Sequence, residues 1–133
     1  MSQPSPAAAV LVLIGSLRTA SINRQLAELA ISIAPRSLQL EVFDRLGDLP
    51  HYNEDLDTDS VAAPVSAFRS VASSTAGVLV VTPEYNGSLP GVLKNAIDWL
   101  SRPYGNSPLK DKPAAVIGAS LGQHGGVRSE ERR

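Results

Sequence analysis

Three short runs in this chain, Val10–Ile14, Gly77–Thr82 and Ala114–Ala119, are essentially apolar throughout and show no polar alternation. That pattern belongs to strands covered on both faces, and it constrains the fold more than any other feature. A fourth segment alternates instead: Leu38, Leu40 and Val42 are separated by Gln39 and Glu41, as in a less buried strand. Helical patterns fall between the runs. Ile22, Leu26, Leu29 and Ile33 share the spacing of one helix face, with Ser21 placed to cap it and Pro35 to stop it. A second helix is predicted around Pro64–Val71. A third runs over Val92–Leu100, with Pro90 and Gly91 at its start and Trp99 on a core stripe with Leu93, Ala96 and Leu100.

Strands alternating with helices predict right-handed crossovers and a parallel sheet, a three-layer α/β sandwich. Ligands of such sheets bind beyond the carboxyl ends of the strands, where the strand order reverses. Three loops fall on that edge: Gly15–Ser21, Pro83–Gly91 and Ser120–Gly126.

With 133 residues, 43% hydrophobic and 19% charged, the chain reads as one globular domain over residues 10–133 behind a flexible leader, residues 1–9. A net charge of −1 argues against nucleic acid as a partner. The stretch from Asp44 to Asp59 holds six acids against Arg45 alone and reads as a solvated loop. There are no cysteines, so redox chemistry must come from a bound cofactor. His51 and His124 form no metal constellation with neighbouring acids. The apolar run at Ala7–Ile14 lacks a basic leader, because the first basic residue is Arg18, and no segment approaches bilayer-spanning length. The expectation is a soluble, cytoplasmic chain with no membrane contact.

The first loop leads into a helix N-terminus, whose free N–H groups and dipole suit an anion. Ser16, Ser21 and Asn23 add neutral donors, and Arg18 adds a planar fork for phosphate oxygens. Neither a Gly-x-Gly-x-x-Gly nor a Walker motif is present, which favours a phosphomonoester over a pyrophosphate. Ser21 as a simple cap and Arg18 in water is the alternative for this loop taken alone. In the second loop, two prolines and two glycines between Pro83 and Gly91 set an irregular path. Its amides, with Tyr85 and Asn86, suit a planar heterocycle; a structural turn would use them less specifically.

Taken together, Gly-Ser-x-Arg-x-x-Ser-x-Asn after the first strand and Pro-Glu-Tyr-Asn-x-Ser-x-Pro-Gly-x-Leu-Lys-Asn-Ala-x-Asp-Trp after the third resemble the NAD(P)H-dependent FMN reductases. These flavodoxin-like quinone, azo-dye and chromate reductases match from about Val10 to Gly126. The resemblance implies FMN as cofactor and NAD(P)H as co-substrate. It implies that Ser16, Arg18, Ser21, Ile22 and Asn23 hold the FMN phosphate, and that Pro83, Glu84, Tyr85 and Asn86 line the ring. A homodimer or homotetramer is implied too.

Gly118-Ala119-Ser120-Leu121-Gly122 also spells the Gly-x-Ser-x-Gly elbow of α/β-hydrolases. Only His124, Glu130 and Glu131 follow it as triad partners, and the chain is far shorter than a hydrolase needs. Ser120, Gly122, Gly125 and Gly126 are better read as letting backbone approach the pyrimidine edge of a flavin, as the family's Ser-x-Gly-x-x-Gly-Gly pattern does.

The function expected is hydride transfer from NAD(P)H through FMN to quinones or other small acceptors, with no catalytic side chain because the flavin carries the chemistry. A flavodoxin-type electron carrier and an inactive truncated flavin-binding fragment are the alternatives. The expected strand order is 2-1-3-4. No fifth strand of a flavodoxin-like sheet is found in the sequence, so self-association through the edge of the fourth strand, or poor retention of FMN, is expected.

Overall fold

The computed structural model describes residues 7–15, 22–82, 89–103 and 105–118. Four parallel strands, β1 (Ala8–Ile14), β2 (Leu38–Val42), β3 (Gly77–Val81) and β4 (Ala114–Ile117), form one sheet in the order β2-β1-β3-β4. This is the expected flavodoxin-like arrangement. β1 is interior, with Val10 opposite Leu40 on one side and Gly77 on the other; β3 in turn pairs Val80 with Val116. β1 begins at Ala8, inside the expected leader, and β3 and β4 end one and two residues before the apolar runs do.

Among the described residues three α-helices cover the sheet: α1 (Ile22–Ile33), α2 (Ala63–Ser73) and α3 (Gly91–Leu100). Pro64 lies in the first turn of α2, where its missing N–H costs nothing. Because side chains alternate along a strand, Leu11, Leu13, Val78 and Val80 face α2 and α3, while Val12, Ile14 and Val81 face α1. The first face holds the larger core, in which Phe68, Leu93, Trp99 and Leu100 are fully buried.

Two expectations are corrected. The helix face Ile22–Leu26–Leu29–Ile33 is only in part the one turned to the sheet: Leu26 packs half-buried against it, but Leu29 is 54% and Ile33 72% exposed, and the fully buried residues of α1 are Asn23 and Ala27. Nor is Asp44–Asp59 simply solvated. It carries two single-turn 3₁₀ helices, Leu46–Asp48 and Glu54–Leu56, with Leu46 and Leu49 in the core. The carbonyl of Pro50 accepts hydrogen bonds from Asn95 Nδ2 (3.0 Å) and Trp99 Nε1 (2.8 Å), and Asn95 Oδ1 accepts one from the Tyr52 amide (2.7 Å). β4 is an edge strand with Ala114 and Ala115 exposed, although its composition resembles an interior strand.

Candidate functional site

The carboxyl ends of β1, β3 and β4 meet at one sheet edge, and each of the three motif loops leaves from there. Gly15, just past β1, donates its amide to Val81 O at 2.8 Å; Thr82, just past β3, donates to Ile117 O at 3.0 Å. The contact is close enough to exclude side chains. A Cβ on Gly15 would lie 2.7 Å from Thr82 Oγ1 and 3.3 Å from Pro90 Cγ, and one on Gly118 would lie 2.4 Å from the Thr82 carbonyl oxygen. Only glycine fits at either place without displacement. Thr82 itself is fully enclosed. A floor of glycine, threonine and backbone therefore underlies the point where the three loops leave the sheet.

The first turn of α1 borders the same edge. Ile22 is 43% exposed and Asn23 is buried, so the two described residues of the phosphate motif differ sharply in access. Arg24 reaches Asp44, just past β2, at 3.4 Å, a loose and partly exposed pair that adds little stability. Ser16, Arg18 and Ser21, then Pro83, Glu84, Tyr85 and Asn86, and finally Ser120, Gly122, Gly125 and Gly126 lie outside the described residues. The residues flanking them, Gly15 and Ile22, Thr82 and Leu89, and Gly118, are described. Thr82 and Pro90, which crowd Gly15, are not among the residues the motifs assign to the site. The available signal was a threonine ending an apolar run and a proline opening a helix.

A polar cluster lies at Tyr52, Asp57, Arg69 and Arg102. Arg69 grips Asp57 through both terminal nitrogens, at 2.8 and 3.0 Å, and its Nε donates to Trp99 O at 3.0 Å. Hydrogen bonds from Arg69 hold the Asp57 carboxyl below the usual carboxylate range, against the opposing effect of burial. A cavity of about 560 Å³ adjoins Arg69, Arg102, Lys110 and Lys112. Two of its cations have structural duties: Lys112, its ammonium pushed down by burial, donates to the Ala72 carbonyl in the last turn of α2, as Arg69 does to the Trp99 carbonyl in the last turn of α3. Among the described residues no group of His, Cys, Asp and Glu could hold a metal ion, and no helix is long and apolar enough to cross a membrane.

The model of the NADPH-dependent FMN reductase family matches residues 8–132. The chain is 47% identical over 116 residues to a 2-hydroxy-1,4-benzoquinone reductase of a Burkholderia species, covering 87% of this chain and 62% of that protein. It is 41% identical over 122 residues to a quinone reductase of Escherichia coli K12, covering 91% and 64% respectively. Among solved structures it is similar to FerB, a flavoenzyme NAD(P)H:(acceptor) oxidoreductase of Paracoccus denitrificans. That match has a TM-score of 0.86 and 43% identity, and it covers 95% of this chain and 68% of FerB. The chain thus spans a little under two thirds of the length of the two curated relatives.

Proposed function

The chain belongs to the NADPH-dependent FMN reductase family, and from that premise we propose that its three-loop edge is an FMN site serving NAD(P)H-dependent reduction of quinones or other small acceptors. The observation that carries the reading is the junction of Gly15, Thr82 and Gly118. It brings the starts of all three motif loops to the switch point of a parallel sheet. Bound FMN would supply the redox chemistry, accepting hydride from the nicotinamide and passing electrons to the acceptor.

The chain's own groups bind and orient. Arg18, with Ser16, Ser21, Ile22 and the backbone N–H of Asn23, is proposed at the phosphate end, where charge-assisted bonds and the α1 N-terminus favour a dianion. Pro83, Glu84, Tyr85 and Asn86 are proposed along the ring. Ser120, Gly122 and Gly125 are proposed at its pyrimidine edge, where donors would favour negative charge. Residues 10–133 would act as one FMN-binding domain, in a cytoplasmic homodimer or homotetramer, with neither nucleic acid nor membrane as partner.

Mixing protein, FMN, NADPH and a benzoquinone while following nicotinamide absorbance tests the reading. Acceptor-dependent consumption of NADPH is the expected result. FMN binding without turnover would favour an electron carrier, and failure to bind FMN would end the proposal. Arg18→Ala should weaken FMN about tenfold or more while leaving riboflavin nearly unchanged.

A further inference from the structure

Asn23 stands apart from the other groups assigned to the phosphate. It is 2% exposed, on a helix that leaves Leu29 and Ile33 in solvent, so the fold encloses an amide where an aliphatic side chain was available. A buried amide is unfavourable unless hydrogen-bonded, and neither Asn23 nor Thr82 lacks a partner. Its surroundings show what it closes upon. A Cβ on Gly118 would lie 4.0 Å from Asn23 Oδ1, on the same spot that crowds the Thr82 carbonyl. The amide therefore sits over the place where the ends of β3 and β4 meet, and its backbone opens the helix that follows the first loop. A side chain closed to water is poorly placed to greet a phosphate arriving from water.

We propose that Asn23 is a positioning residue: its buried amide keys the first turn of α1 to the ends of β3 and β4, holding the phosphate side and the ring side of the site in one register. This rests on the FMN reading given above. It separates Asn23 from Arg18 by a clear signature. A phosphate ligand distinguishes FMN from riboflavin, whereas a positioning residue acts on both flavins alike.

The test is fluorescence titration of Asn23→Ala with FMN and with riboflavin, beside amide hydrogen exchange on the flavin-free chain. Both dissociation constants should rise by the same factor, roughly tenfold. The Thr82 and Gly15 amides, which bond Ile117 O and Val81 O, should exchange faster than in the parent. Asn23→Ser, which keeps a small hydrogen-bonding group, should recover part of both effects, and it carries the test if Asn23→Ala does not fold. A loss confined to FMN would make Asn23 a phosphate ligand and overturn the proposal, as would unchanged affinities for both flavins. If the parent chain binds neither flavin, the function reading fails. The exchange data then decide the positioning role alone: unchanged Thr82 and Gly15 amides would refute it, and faster exchange would uphold it.

Discussion

The two faces of the sheet are built differently. Under α2 and α3 lie Phe43, Phe68, Leu93, Trp99 and Leu100, with Phe43 and Phe68 rings 4.6 Å apart and Tyr52 set edge-on to Trp99. On the α1 side the buried cluster among the described residues is Val12, Ile14, Ala27 and Val81, while Ile22, Leu29, Ile31 and Ile33 look outward. The difference shows that a helix can be held to a sheet by its small residues. Ala27 brings the α1 backbone close to the strands, Leu26 packs half-buried beside it, and Ile22, Leu29, Ile31 and Ile33 are left on the far side. One face is stabilised by area, the other by proximity.

Truncation of the large core should therefore have the largest effect. Trp99→Ala removes a fully buried indole and its bond to Pro50, and should cost about 3–5 kcal/mol by urea unfolding. A loss below about 1 kcal/mol would mean that the α2–α3 face does not anchor the fold. Ala27→Leu should cost about 1–3 kcal/mol, because α1 must lift to admit three carbons. A neutral result there would show that α1 is not tightly seated.

A third measurement concerns pH. The folded Asp57 carboxyl titrates below its unfolded value, so its contribution is present above the ordinary carboxylate range, about 4. It is lost as pH falls through the folded value. Asp57→Asn should cost on the order of 1–2 kcal/mol at neutral pH, allowing for screening at a side chain still 14% exposed. The gap from the parent should close in acid, and a gap independent of pH would disconnect Asp57 from this titration. The smallest effect should come from Ile33→Gln, within about 0.5 kcal/mol. A larger loss, or a change in sedimentation, would reveal that the α1 face is covered in solution and redraw the contrast.

Much of this arrangement was legible beforehand. β1, β3 and β4 were plain because continuous apolar runs at strand length have few other readings, and Trp99 was placed by its neighbours Leu93, Ala96 and Leu100. The seating of α1 was misread for a definite reason. Asn23 and Ala27 repeat at the same four-residue interval as Ile22 and Leu26, one position on, and counting apolar residues sees only the latter pair. Asp57 read as solvated because its partner Arg69 is twelve residues away on a different element. The crowding of Thr82 against Gly15 and Gly118 joins three strand ends distant in sequence, and no local pattern announces it. The motif strings located the edge at which those ends meet. The side chains on Ser16–Ser21, Pro83–Ser88 and Ala119–Gly126 lie outside the described residues.

The bond from Trp99 to Pro50 has a practical consequence. Trp99 is the chain's single tryptophan, and its indole N–H is tied to a loop forty-nine residues earlier. Intrinsic fluorescence is thus a gauge of that clamp as much as of the core. In a refolding experiment, the emission should reach its final value only when the acidic segment has docked on α3. Such a late, non-local closure would be recorded directly by the chain's own chromophore, without an added label.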